Sequence, residues 1–174
     1  MAWQTLRYQL NSAQNCPLLM HNGQMANPLN KFAKLMKQTS SKRAKTDADY
    51  EEMAHIEFIA SLYMDANGPI IPAHVMDSML VNGAKKSKEG MSAKSGAFCL
   101  EHARLDYDGP RTAEELWAIE DFRHVALVRV GMARVARTRP VFNTWAAIVS
   151  VNIETTIVNP ARVDDWMAIA GTQV

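Results

Sequence analysis

The sequence predicts an α+β fold in which an antiparallel sheet is covered by helices. Three observations carry this. Residues 121–154 are the only long run of β-type sequence, and the run divides into three strands. Stretches before and after it carry apolar residues at helical spacing. The order along the chain is strand, helices, strands, helix, with no internal repeat and no low-complexity tract.

Residues 3–10 alternate, with Leu6, Tyr8 and Leu10 on one side, and form the first predicted strand. From Asn11 to Asn27, Pro17, Gly23 and several asparagines surround Leu18-Leu19-Met20, which predicts a loop with a brief extended piece. Asn27-Pro28 has the form of a helix start, an asparagine cap with proline at the first helical position. Leu29, Phe32, Ala33 and Met36 then follow helical spacing. Residues 38–45 lack an apolar period and read as a mobile connector. Thr46-Asp47 opens a second helix, with acids in the first turn where they suit the helix dipole. Its predicted buried stripe is Tyr50, Met53, Ile56, Ile59, Ala60 and Tyr63, and Asn67-Gly68 is its predicted end. A third helix carries Val75, Met76, Met79, Leu80 and Gly83, and Lys85 to Gly96 reads as a flexible basic loop.

Residues 97–100 and 102–107 are predicted strands, Asp108-Gly109-Pro110 a turn, and Thr112 the cap of a short helix with Leu116 and Trp117. In 121–154, Val125 and Leu127 mark the first strand, and Gly131-Met132 breaks the run. Arg134, Arg137 and Arg139 decorate the second, which Pro140 limits. The third is apolar at Trp145, Ala147, Val149, Val151 and Ile153, while its even positions include Thr144, Ser150, Asn152 and Glu154. Strand 143–154 is expected to pair with 133–139 and to bury Trp145, Val149 and Val151 beneath the last helix. That helix starts at Asn159-Pro160, with Val158 and Val163 placed as a hydrophobic staple. Its apolar stripe is Val163, Trp166, Met167 and Ala170, and a further strand is expected after it. The simplest arrangement is a ferredoxin-like or RRM-like core with a helical insertion after the first strand. On that reading the chain is one domain, with residues 28–96 as the insertion and 97–174 as the sheet-rich part.

A chain of 174 residues with 48% hydrophobic and 21% charged residues is expected to fold as a globular protein. No apolar stretch approaches the roughly 18 residues that span a bilayer, and the N-terminus lacks a signal-peptide pattern. Cys16 and Cys99 are far apart without CxxC spacing, so reduced thiols in a cytoplasmic protein are expected. The setting that fits is a bacterial or phage-infected cell.

The net charge of +1 hides segregation. Lys31, Lys34, Lys37, Lys42, Arg43 and Lys45 form an acid-free segment, followed at once by Asp47, Asp49, Glu51 and Glu52. Lys85, Lys86, Lys88 and Lys94 form a second basic segment, interrupted by Glu89. Between Arg123 and Arg139 lie five arginines and no acid. Arginine's planar fork binds phosphate bidentately. Arg123, Arg129, Arg134, Arg137 and Arg139, with Lys85, Lys86 and Lys88 along the edge, are therefore the candidate nucleic-acid-binding residues. The structural alternative is that these arginines form salt bridges with acids such as Asp106 and Glu120.

Other pairings carry less. Glu52 and His55 have the Glu-x-x-His spacing of di-iron bundles, but the chain has no second copy of it. His74 and Asp77 lie one turn apart and could be an acid–base pair of a hydrolase or a solvated cap. His21, His102 and His124 are scattered, and no glycine-rich phosphate loop has the strand-to-helix context it needs. No catalytic residue, metal or cofactor is expected.

Residues 65–86, DANGPIIPAHVMDSMLVNGAKK, resemble a motif of the RAMP superfamily, the RNA-binding subunits of CRISPR effector complexes. Ile71-Pro72 matches its isoleucine–proline step, Gly83 its small position and Lys85-Lys86 its basic end. Pro17 to Gly23 resembles the segment that follows the family's first strand. Ala73-His74 stands where the family usually has glycine and serine. The resemblance implies a ferredoxin-like fold that binds RNA along its backbone and assembles side by side.

The expected function is therefore a non-enzymatic nucleic-acid-binding protein, for RNA or single strands, with a homo-oligomer possible and no membrane partner. The alternative is a phage structural or interaction protein, for assembly or anti-defence, that does not bind nucleic acid.

Overall fold

A computed structural model of the chain describes residues 2–14 and 16–173. In chain order, the first half contains β1 (Trp3–Asn11), β2 (Leu18–Leu19), α1 (Lys31–Ser40), α2 (Asp47–Ser61), β3 (Met64–Asp65), β4 (Gly68–Ile71) and α3 (Ala73–Lys86). The second half contains α4 (Gly90–Gly96), β5 (Ala97–Phe98), β6 (Ala103–Asp106), α5 (Ala113–Ala118), β7 (Arg123–Val130), β8 (Ala133–Phe142), β9 (Ala146–Glu154) and α6 (Pro160–Gln173). The fold is mixed α+β, as expected, and the described strand pairs are all antiparallel. Among the described residues no helix is long and apolar enough to cross a membrane. The chain divides into two compact units: one takes 1–11, 70–106 and 146–174, the other 12–69 and 107–145.

In the first unit β9 is the organising strand. It pairs with β1 from Trp3↔Glu154 to Asn11↔Ala146, with β5 at Ala97↔Ile153, and with β6 at Leu105↔Ala147. The predicted alternation holds: Ala147, Val149, Val151 and Ile153 are buried, while Ile148 between them is exposed. The expected partner does not hold. β9 pairs with β1 and β6, and β8 pairs with β2 and β7. Trp145 precedes β9, lies in the other unit and is only half-buried. Period-two patterning fixes which face of a strand is apolar; it carries no information on which strand lies beside it.

The last helix follows the reading closely. Asn159 Oδ1 accepts from the Ala161 N–H at 3.0 Å, and Val158, Val163, Trp166, Met167 and Ala170 are buried. Gly83 of α3 faces it. A Cβ at Gly83 would fall inside contact distance of the Trp166 carbonyl oxygen and lie 3.3 Å from the Ala170 Cβ. Here glycine serves close helix approach.

The predicted basic loop at 85–96 is instead helical. Lys85 and Lys86 end α3, and residues 90–96 form α4. The link is tethered by Glu89, which accepts from Arg162 Nε at 3.0 Å and from the Trp166 indole N–H at 2.9 Å. Ala93 and Gly96 are buried, the latter against Ile157 and Val158.

In the second unit β8 sits between β2 and β7, with Leu18↔Phe142 on one side and Arg123↔Pro140 on the other. Pro140 does not limit β8, which runs to Phe142. Tyr107, Phe122 and Phe142 form an aromatic cluster with ring centroids 4.8 to 5.7 Å apart. α1 starts later than predicted: Asn27 caps only a turn, and Asn30 is the helix cap, accepting from the Phe32 N–H at 2.8 Å.

α2 starts where predicted, with a capping box in which Thr46 and Asp49 serve each other. It ends earlier, at Ser61, and Ala66-Asn67 is the turn between β3 and β4, with Gly68 at the start of β4 at φ +126°. Its buried residues include Ile56, Glu57, Phe58 and Ala60, whereas Tyr50 is exposed. The connector at 38–45 is partly helical and is held by an ion pair between Lys42 and Asp49. That pair holds the Asp49 carboxyl down at about 2, helped by the Thr46 hydrogen bonds.

Candidate functional site

The β7–β8 hairpin carries all five candidate arginines. Its register runs from Arg123↔Pro140 through His124↔Arg139 and Ala126↔Arg137 to Arg129↔Arg134. Side chains of paired positions share a face and alternate along each strand. Arg123, Arg129 and Arg134 therefore lie on one face, with Val125 and Leu127, and Arg137 and Arg139 lie on the other, with His124. The single arginine band read from the sequence is two sets. Like charges face one another at Arg129↔Arg134, a pairing that isolated sheets disfavour.

The arginines also differ in what they touch. Arg123 stacks over the Trp117 ring, 4.9 Å from its centroid, and its Nε is buried without a hydrogen-bond partner among the described residues. Arg129 donates to the Gly131 carbonyl at 3.0 Å, across the turn that Gly131 makes with φ +62°. Arg137 donates to Glu57 at 2.8 Å. Arg134 and Arg139 have no acid partner among the described residues. The structural alternative thus holds for one arginine, through an acid the sequence reading did not name.

Arg137 and Arg139 open onto a cleft of about 500 Å³ lined also by His21, Met25, Ala33, Met36, Lys37, Ser40 and Glu57. Three elements supply its charge: Lys37 from α1, Glu57 from α2, and the two arginines from β8. Lys37, like Arg139, has no acid partner among the described residues. Counting Glu57 against the three cations leaves the cleft positive.

The segment that brings His21 into this cleft is fastened by its amide side chains. Asn22 Nδ2 donates to the Leu62 carbonyl at 3.2 Å, and Gln24 Nε2 donates to the Ala60 carbonyl at 2.8 Å. Tyr63 donates its hydroxyl to the His21 carbonyl at 3.2 Å, and the Met20 N–H reaches the Pro140 carbonyl at 3.0 Å. The two amide bonds satisfy orphan carbonyls at the α2 C-terminus. Burial lowers the His21 pKa, and Arg139 and Arg137 lower it further, against the opposing pull of Glu57. The cleft was missed from sequence because His21, Lys37 and Glu57 reach it from three separate elements.

Lys85, Lys86 and Lys88 belong to the first unit. Lys85 and Lys88 line a second cleft, of about 690 Å³, with Asp77, Asn82 and Lys94 among its other walls. Lys85 donates to Asn82 Oδ1 at 3.1 Å, and Lys88 has a φ of 64° just past the end of α3.

The remaining pairs have structural partners. His55 bonds Glu114 at 2.9 Å, while Glu52 accepts from Thr39 at 3.0 Å. Asp77 accepts from the Cys99 N–H at 2.7 Å, and burial together with this carboxylate pushes the Cys99 thiol up to about 12. His102 Nδ1 accepts from the Ala73 N–H at 3.1 Å. Among the described residues no cluster of three His, Cys, Asp or Glu side chains could hold a metal ion. The chain matches no protein-family model, no curated protein and no solved structure.

Proposed function

We propose that this protein binds nucleic acid without acting on it, and that RNA or a single strand is the ligand. The observation that supports this best is the second unit's cleft, where Arg139 and Lys37 present cations without an acid partner among the described residues, from two different elements. Cations converging on a half-open cleft favour a phosphate, since each such pairing releases condensed counterions. The other face of the hairpin adds Arg129 and Arg134, and the apolar side chains beside them suit packing against bases as well as backbone. The RAMP resemblance of residues 65–86 points the same way. The ferredoxin-like form of the α+β class, in which neighbouring strands are all antiparallel, is not needed for this reading.

The test is binding of a short labelled RNA against salt. Affinity should fall steeply as salt rises, and Arg139→Ala should weaken binding and flatten the slope by about one unit. Arg139 has no partner acid among the described residues, so the variant's melting temperature should stay near that of the parent. RNA binding that ignores both salt and Arg139 would refute the proposal.

A second reading, an interaction or assembly protein, draws on one observation. Val125, Leu127 and Met132 of the hairpin are 61%, 70% and 98% exposed. Replacing Leu127 and Met132 by serine should then change the sedimentation of the protein.

A further inference from the structure

We infer that the cleft of Lys37, Arg137 and Arg139 takes a terminal phosphomonoester, the phosphorylated end of a strand or a mononucleotide, in preference to an internal phosphodiester. This rests on the nucleic-acid reading and names the group that the site selects.

Charge is the first ground. An internal phosphodiester carries one negative charge, whereas a phosphomonoester carries about 1.5 to 2 at neutral pH and offers three acceptor oxygens. Glu57 engages Nη1 of Arg137 and the Thr138 N–H. Lys37, Arg139 and the rest of the Arg137 fork remain for a ligand. That is enough positive charge for a dianion and more than one diester phosphate needs.

Shape is the second ground. The remaining wall includes Met25, Ala33 and Met36. A continuous strand would have to carry a further phosphate along that apolar wall, at a desolvation cost. A strand end or a mononucleotide has only a sugar and base to lay there, which the methionines can cover.

His21 is the third ground. The charged groups facing it are Arg137 and Arg139 on β8, Lys37 on α1 and Glu57 on α2. In the free protein partial desolvation and the arginines, against the pull of Glu57, disfavour the imidazolium, and the neutral ring has one N–H donor. A bound dianion outweighs them and favours the imidazolium, which has two. Binding of a monoester should therefore take up a proton and tighten as pH falls, until the ligand's own second ionisation near about 6 reverses the trend.

The experiment compares one short RNA oligonucleotide in three forms, with a 5′-phosphate, with a 3′-phosphate, or with hydroxyls at both ends, at fixed salt. The additional charge-assisted hydrogen bond should separate an end-phosphorylated form from the hydroxyl form by about tenfold or more. Adenosine monophosphate should displace the end-phosphorylated oligonucleotide where adenosine does not; the end form preferred tells a 5′ from a 3′ terminus. Arg139→Ala, and separately the surface substitution Lys37→Ala, should abolish the difference and leave the hydroxyl form's affinity closer to the parent's than that of the phosphorylated form. Equal binding of all three forms overturns the inference and leaves the nucleic-acid reading standing. So does an equal loss for all three forms in Arg139→Ala. Failure of every form to bind the parent overturns both.

Discussion

Glu57 ties Arg137 to the backbone of its own strand: one carboxylate oxygen accepts from Arg137 at 2.8 Å and the other from the Thr138 N–H at 2.9 Å. The acid is buried on α2 and both donors are on β8, so this side chain fixes the helix against the strand. Glu57→Gln keeps the shape but cannot accept both bonds as a carboxylate does. It should lower unfolding free energy by about 1–3 kcal/mol, measured by urea denaturation. The same change removes the cleft's one acid, so RNA affinity should hold or rise. A variant that is stable but binds RNA less well would show that Glu57 serves the ligand instead.

Gly83→Ala tests the approach of α3 to α6. In an exposed helix this exchange normally stabilises. Here the new methyl meets the Trp166 backbone, and overpacking of that kind costs about 1–3 kcal/mol. Gly171→Ala, with nothing within 4 Å of the added methyl, is the control and should leave the melting temperature unchanged or raise it.

Glu89 gives the fold an acid limit. Arg162 first, and then the Trp166 indole, hold its carboxyl down at about 2, against an ordinary 4.5. A carboxyl depressed by folding contributes stability above its unfolded pKa and loses it as pH falls through the folded one. The loss should therefore run from about pH 4.5 to about pH 2. Melting temperatures across that window should fall for the parent and fall less for Glu89→Gln. Some slope should survive, because Asp49 is depressed to about 2 as well. An unchanged profile in Glu89→Gln would remove Glu89 from this account.

Neighbouring positions on β9 should respond differently to one acid. Val149 is 1% exposed and Ile148 64%. Val149→Asp should cost several kcal/mol, since it leaves a charge in an apolar layer. Ile148→Asp should lie within about 0.5 kcal/mol of the parent. Calorimetry of the two variants checks the register directly.

What could be read in advance was what short-range chemistry determines. The Thr46 and Asn159 caps and the alternation from Ala147 to Ile153 each depend on residues a few positions apart, and each is present. Pairing partners depend on chain closure over long separations, so β9 was assigned the wrong neighbour. The helix at 90–96 was invisible because the anchors of its leading residue Glu89, Arg162 and Trp166, lie far along the chain. The site was half legible: simple alternation puts Arg137 and Arg139 on one face and Arg134 on the other, but the placement of Arg129 relative to them needed the hairpin register. In the sequence Lys37 is one member of a charge run and His21 an isolated imidazole, and only the fold brings them beside the arginines.

One consequence of the hairpin concerns the protein in concentrated solution. Among the described residues β7 pairs only with β8, so its outer edge leaves backbone donors and acceptors open to another strand. Exposed Val125 and Leu127 would make that edge adhesive between copies. The five arginines of the hairpin, with no acid among them, oppose this, because two such edges would meet as like charges. That protection has a range of only about 8 Å at physiological ionic strength and about 3 Å at 1 M salt. The salt that frees a bound strand thus also removes the barrier to edge-to-edge aggregation, and the ligand-free protein should keep best at low ionic strength.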